Sequence, residues 1–503
     1  MRDTPRALGT VIALSVSAAF AACAVGPTYH PPDAPAVTGY SATTFPNETV
    51  STDVSGGQAQ RFVARDIPAE WWKVFENAPL DALVRQALHD SPTLAEMNAR
   101  LTQARENLDA RQGATKYPQV DVSGSVNTVA VTTDSSESNN LSQNLASSFP
   151  LTLGLATVSV SYTLDLFGRT HHELESLAAT VEYERFQVEG ARLMLAGNVV
   201  TTAIQEASLR EQIEHTEAIA ALESRQLEIV QRLEAVGGVA HLDTVAQQGE
   251  LAHTKALLPA LHQRLDQIRN RLAVYVGEPP AAVQLPSFRL VDLRLPTELP
   301  VSVPSELVRQ RPDILAAEAL LRAANANVGV AEANRYPRIT LSASGGAVAV
   351  SSLISGAGLA LLGASVSQPL FHGNELKAEQ RAAVAAFDQA HATYREVVLT
   401  GLQNVADVLV ALDGDARTVH ERREATNFAQ ATYDITSRRY AAGGVSLLTL
   451  LDAQRKQLSA ALDEVSAITD RYADSAALFQ ALGGGWWSVP PSTTVVSTSK
   501  SVK

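Results

Sequence analysis

Cysteine is almost missing from this 503-residue chain: Cys23 is the only one, so no disulfide can form within one copy. Positive charge is scarce as well. Lys plus Arg number 40 against 53 Asp plus Glu, a net charge of −13 with no basic run, which excludes nucleic acid as a partner because phosphate binding needs clustered cations. No internal stretch is apolar without interruption for 18 residues or more; Leu341 to Gln368 is uncharged but broken by Ser and Gly. A bundle of membrane-spanning helices is thereby excluded, and any membrane crossing must come from lipid or from β-strands. There is no glycine-rich phosphate loop ending in Lys-Ser/Thr and no Gly-x-Ser-x-Gly elbow with a matching histidine. No Cys, His and carboxylate set has metal-ligand spacing, and His171-His172 reads as a solvated helix start. No catalytic constellation, metal or cofactor is expected, so an envelope enzyme is disfavoured.

Proline is absent between Pro150 and Pro259, and that gap holds the longest feature of the chain. From Gly168 to Val236 apolar residues recur at helical spacing, among them Leu174, Leu177, Val181, Val188 and Leu195. A helix of that length is roughly 100 Å long at 1.5 Å per residue. The pattern restarts after Gly237-Gly238 and continues to Gly277; a second such hairpin runs from Gly373 to Leu482 and turns on Gly443-Gly444. Rods this long need each other, or further copies, to bury their apolar stripes.

Taken in order, residues 1–22 form an export signal: Arg2 and Arg6, an apolar stretch from Ala7, then Phe20-Ala21-Ala22 before Cys23. A small pair before cysteine resembles the lipobox of bacterial lipoproteins, in which the cysteine is acylated; Phe20 stands where Leu is usual, and simple cleavage after Ala21 is the other reading. Residues 23–70 are a proline-punctuated leader without a core pattern, draped over something else, so order is expected from Trp71-Trp72, a pair that reads as a core anchor. Helices follow over about 80–89 and 92–114. The period then changes to two. Strands are predicted over about 117–131 and 151–166, separated by the polar tract Thr132 to Ser148. They are long enough to cross a bilayer when tilted, although an ordinary hairpin shows the same alternation. Residues 279–303 read as a proline-rich linker, after which the plan repeats over 304–487: a helix to about Asn334, strands over about 336–350 and 359–371 around a loop at Ser351 to Gly358, and the second rod pair. Residues 488–503 read as a disordered tail.

A repeat of helix, strand, strand and rod pair gives four strands per chain. Four cannot close a barrel, but three copies supply twelve, and twelve rods to continue them. The predicted fold class is therefore α+β: a trimeric 12-stranded β-barrel continuing into a long α-helical barrel, with two internal structural repeats.

On its motifs the chain resembles the outer-membrane efflux protein family, the TolC-like exit ducts, and within it the lipoprotein branch similar to OprM and NodT. The marks are Gly26-Pro27-Thr28-Tyr29, Trp71-Trp72, Leu258-Pro259, Pro304-Ser305-Glu306-Leu307 with Arg311-Pro312-Asp313, Leu451-Asp452-Ala453-Gln454-Arg455 and Ala481 to Trp486. The resemblance implies a homotrimer in the bacterial outer membrane, lipid-anchored at Cys23 and extending into the periplasm. It implies passive conduction of drugs or other small molecules received from a periplasmic adaptor and an inner-membrane pump of RND type. Hairpin tips at Gly237, Gly238, Val239, Gly443, Gly444, Val445 and Ser446 match the family's adaptor contacts; bare chain reversal is the alternative use of these glycines. Gln226, Asp243, Tyr440 and Asp452 match a polar belt at its closed aperture. Both acids also stand near helix starts, where the dipole alone favours them. An arginine of the family's lock is Val445 here and a second carboxylate is Thr449, leaving Arg438 or Arg439 as substitute cations. The competing reading is a structural trimeric coiled-coil lipoprotein without transport.

Overall fold

The computed structural model describes residues 25–37, 39–41, 46–129, 151–350 and 353–488. The signal peptide, Cys23, the polar tract after the first strand and the C-terminal tail lie outside them. The elements are β1 (Arg61–Val63), α1 (Ala78–Asp90), α2 (Pro92–Lys116), β2 (Gln119–Val129), β3 (Leu151–Leu164), α3 (Arg169–Ala235), α4 (His241–Tyr275), β4 (Glu298–Pro300), α5 (Pro304–Gln310), α6 (Pro312–Ala333), β5 (Arg338–Val350), β6 (Leu353–Ser367), α7 (Glu375–Ala441) and α8 (Leu447–Ala481). The two hairpins repeat each other in length: 67 and 35 residues in α3 and α4, and again 67 and 35 in α7 and α8. The chain divides into two compact units.

The first unit holds the sheet. Its order is β2-β3-β5-β6 with every pairing antiparallel, so β2 and β6 are its edges. Tyr117-Pro118 and Tyr336-Pro337 end the preceding helices because a residue before proline is pushed into extended backbone. Alternation then sorts the side chains. On one face Val122 stands opposite Val158 and Leu362 opposite Ala343, with Val120, Val126, Leu341 and Val366 beside them. Val122 is 81% exposed and Leu362 91%. The other face carries Ser123 opposite Thr157, their hydroxyls 2.7 Å apart, and Thr163 opposite Thr340 at 3.3 Å. β6 begins at Leu353, six residues before the predicted start, because Ala347 to Val350 pair with Gly358 to Leu353 through an irregularity between Val348 and Val350. Small residues pair by backbone alone, so a Gly- and Ser-rich composition does not mark a loop here.

The second unit holds the main core. The 3-10 turn Trp71–Phe75 drops Trp71 onto Phe479, ring centroids 5.4 Å apart and nearly parallel, and Phe75 against Tyr472. The leader and the linker differ from expectation. Order begins before Trp71: β1 pairs in parallel with β4 of the linker, Gln60 and Thr49 are buried, and the linker supplies Phe288, Leu290, Leu293, Leu295 and Leu299 to the core. Prolines break the spacing of these residues, so no period announces them. The clasp is Arg471 of α8. Fully buried, it donates to the carbonyls of Gly56 (3.2 Å) and Gln58 (2.7 Å) and to Thr49 Oγ1 (3.1 Å).

Beside this clasp, burial and then the hydrogen-bonded Asp474 carboxyl push the Asp415 carboxyl up to about 7, with Asp470 adding and Arg471 opposing. A carboxyl that binds its proton more tightly folded than unfolded stabilises the fold at low pH and loses that contribution as pH rises through about 7. Asp415→Asn is therefore expected to raise the stability of this unit at pH 8 by roughly 1–2 kcal/mol, discounted for the half-exposed site, and by less than half as much at pH 5, because the loss runs from the ordinary carboxyl value up to about 7. Circular-dichroism melts at the two pH values check it; equal shifts at both would rule the linkage out.

α7 contains one 18-residue window of mean hydropathy 1.4 that is long and apolar enough to cross a membrane, 28% of it buried within the chain. Val410, Phe428 and Ile435 of α7 are exposed. Its own chain leaves much of this stripe uncovered.

Candidate functional site: the hairpin tips and the polar belt behind them

Both rod pairs turn in the same way. Gly237 and Gly443 adopt φ of +74° and +73°, the left-handed conformation that closes a helix and favours glycine. In the first turn the Gly237 amide donates to Glu234 and the Gly238 amide to Leu233; in the second, Gly443 donates to Tyr440 and Gly444 to Arg439. A Cβ added at Gly237 or Gly443 meets nothing within 4 Å, so backbone conformation, not crowding, demands glycine there. The following helices start with different caps. Asp243 Oδ2 accepts the Ala240 amide at 3.2 Å, and Ser446 Oγ accepts the Thr449 amide at 3.3 Å. Val239 and Val445 are half-buried at the tips, while Val236, Leu242 and Leu448 stay at least 69% exposed. Val236 falls within the turn that sequence reasoning marked as a tip; Leu242 and Leu448, beyond the marked turns, were missed. Exposed Val and Leu flanking a Gly-Gly turn were the available signal.

Behind the tips, Val230, Leu447, Leu450 and Leu451 form a small buried cluster against which Tyr433 and Tyr440 pack. The Tyr440 hydroxyl is buried without a hydrogen-bond partner. Burial first, and the Asp243 charge second, raise its pKa. Gln226 Oε1 accepts from Gln454 Nε2 at 2.8 Å, joining α3 to α8, and Gln454 is fully buried. One turn deeper lies Glu223, also buried. Its carboxylate accepts from Thr254 at 3.2 Å, its carbonyl accepts from Gln247, and burial raises its pKa, with Glu250 adding to the shift. Glu223, Gln247 and Gln454 are buried polar side chains near the predicted positions that sequence reasoning did not name as site residues. Each falls on a helix face where solvated polar residues are ordinary, so only packing distinguishes them.

Asp452 sits apart from the others. Half exposed, it pairs with Lys456 at 2.8 Å and Arg455 at 3.9 Å on its own helix, and the Lys456 hydrogen bond holds its carboxyl below the usual range. Arg438, one of the expected substitute cations, donates its Nε to the Asp434 carbonyl at 3.1 Å. Spacing of three and four residues makes the local pair the easier one. His172 also corrects an expectation. It is buried, not solvated, with Nε2 2.9 Å from the Val25 carbonyl and Nδ1 3.2 Å from Glu175. Among the described residues no His, Cys, Asp and Glu group could hold a metal.

The arrangement is one of turns, helix caps and hydrogen-bonded polar side chains between the rods. The chain is 35% identical over 458 residues to the pyoverdine export outer membrane protein OpmQ of Pseudomonas aeruginosa, covering 86% of this chain and 90% of that one. It is 29% identical to the outer membrane protein OprJ of the same organism, over 95% and 96% of the two chains. Its fold superimposes on the solved outer-membrane channel OprN with a TM-score of 0.79 and 27% identity, over 92% of this chain and all of that one. The profile of the outer membrane efflux protein matches residues 83–278 and 303–484, three-quarters of the sequence spread over both repeats, and the chain belongs to that family.

Proposed function

We propose that three copies of this chain enclose the exit duct of a tripartite efflux pump, passing drugs or other small molecules from a periplasmic adaptor and an inner-membrane pump of RND type to the exterior. The observation that carries this reading is the four-stranded sheet. One face carries the exposed Val120, Val122, Val126 and Leu362; the other carries most of the Ser and Thr, with Leu155, Leu359 and Leu361 among them; and both edges are unpaired among the described residues. An open edge is not tolerated in lipid, and three sheets joined edge to edge give twelve strands with the hydroxyl face around water. The uncovered stripe of α7 supports the same assembly, since neighbouring copies would bury it.

The duct works without covalent chemistry and without a resident cofactor. Gly237, Gly238, Val239, Gly443, Gly444, Val445 and Ser446, with exposed Val236, Leu242 and Leu448, form the adaptor-facing tips. Gln226, Asp243 and Tyr440 make the resting aperture, and three copies of Asp243 on one axis favour cations. Asp452, tied to Lys456, shapes the mouth from its rim. Cys23 carries the lipid anchor; an unmodified thiol in the N-terminal peptide mass would remove that element.

Single-channel recording in planar bilayers tests the reading. Steady, resolvable conductance is expected, and a structural coiled-coil lipoprotein would give none. Asp243→Ala with Asp452→Ala is expected to raise the conductance at least twofold by loosening the mouth. An unchanged value would dismiss the aperture assignment while leaving the duct standing.

A further inference from the structure

A cavity of about 990 Å³ lies in the first unit, at the base of the sheet. Three guanidinium groups line it in a chain whose net charge is −13: Arg111 near the end of α2, Arg169 opening α3 and Arg338 opening β5. The two carboxylates beside them are already engaged. Glu173 pairs with Arg111 at 2.6 Å, and Asp165 Oδ2 accepts the His171 amide at 2.8 Å. Arg169 and Arg338 make no ion pair among the described residues, and the Nε atoms of Arg111 and Arg169 are buried with no hydrogen-bond partner. Burial, and then the Arg338 charge, make the Arg169 cation harder to hold, with Glu173 and Asp165 opposing and Arg111 adding to the effect. Donors in this state are satisfied by an acceptor that brings negative charge.

We propose that this cavity is an oxyanion site that holds small organic anions, carboxylates or sulfonates, on their way through the duct. The inference rests on the duct reading above, which it deepens by naming a class of cargo. The side of the sheet decides between cargo and lipid. Arg338 alternates with Thr340, Ser342 and Ser344, whose partners across the ladder are Thr163, Ser161 and Ser159. It therefore stands on the hydroxyl face, opposite the Val and Leu that meet acyl chains, where a dissolved anion arrives and a lipid headgroup does not. Planar guanidinium forks match carboxylate and sulfonate oxygens two at a time, and a ring of nine such groups in a trimer raises the local anion concentration in a confined passage.

The test uses the full-length protein in bilayers of zwitterionic lipid. Reversal potentials in a KCl gradient give the chloride-to-potassium permeability ratio, and 2-naphthalenesulfonate added to one side probes block. For Arg111→Gln/Arg169→Gln/Arg338→Gln the ratio is expected to fall at least threefold and block to weaken at least fivefold. Arg338→Gln alone, which removes no ion pair among the described residues, is expected to lower the ratio about twofold and is the variant read if the triple one does not assemble. Conducting variants with wild-type ratio and block overturn the site and leave the duct intact. Wild-type protein that assembles without conducting overturns the duct and the site with it. Loss of a co-purifying phospholipid from the variants, with selectivity unchanged, assigns the arginines to lipid and overturns the cargo reading.

Discussion

Leu362→Arg in β6, or Val122→Arg in β2, is expected to abolish assembly in the outer membrane, while Ser123→Arg keeps it. Leu362 and Val122 lie mid-strand on the apolar face, nearly free of contact with their own chain. In water their replacement would be almost neutral. In a bilayer an arginine facing lipid near the midplane costs about 2–4 kcal/mol, and three copies in one barrel bring the penalty to roughly 6–12 kcal/mol, comparable with the whole stability of a domain. Ser123 is one residue from Val122 but points to the hydroxyl face, opposite Thr157, so an arginine there meets water and changes only the current. Membrane fractionation with unheated gel electrophoresis reads the trimer directly. Equal assembly of Val122→Arg and Ser123→Arg would mean that the two faces have been assigned wrongly.

The second large effect is expected at Arg471. Methionine fills much the same volume but cannot donate, so Arg471→Met leaves the buried Gly56 carbonyl and the Gln60 side-chain oxygen 3.4 Å away without this donor, removes it from the part-buried Gln58 carbonyl, and leaves Thr49 Oγ1 with the Gln60 amide. Burial pushes the guanidinium down to about 10, so at neutral pH the charge is still present and its hydrogen bonds are charge-assisted. Removing one member of such a network costs roughly 3–5 kcal/mol. That exceeds what β1 and β4 can hold with three paired residues each. The leader is expected to detach while the rods stay helical: cleavage within residues 49–63 should quicken at least tenfold under limited proteolysis, with far-ultraviolet dichroism nearly unchanged. Wild-type protease resistance would show that β1 and the core residues of the leader suffice without the clasp.

These two sites differ in how far the sequence announces them. Period-two alternation predicted both strand pairs of the sheet, and a long proline gap with helical spacing predicted α3 to within a residue at each end. Such signals survive because every turn of a rod and every second residue of a strand repeats the same environment. What escaped is aperiodic. The leader and linker bury Gln60, Phe288 and Leu299 one at a time, and each is positioned by a residue hundreds of positions away. β6 was shortened because Gly358 and its neighbours carry little side-chain signal even where their backbone is paired. At the candidate aperture the sequence named Gln226 and Tyr440 but not Gln454, the donor to Gln226. A glutamine on a helix is ordinary until packing closes over it. The failure at His172 has the same origin: its partner is the carbonyl of Val25, and a backbone atom leaves no trace in composition.

The clasp around Arg471 also orders events in time. Export delivers the amino end first, yet the groups that hold residues 49–60 stand more than 400 positions later in the chain. Contacts this remote are the last to be rewarded during folding. The front of the polypeptide, if fastened to the membrane at Cys23, must therefore wait there as a loose tether until its final rod has been delivered. During that interval it is open to envelope proteases, and the closing of the clasp marks a subunit as finished.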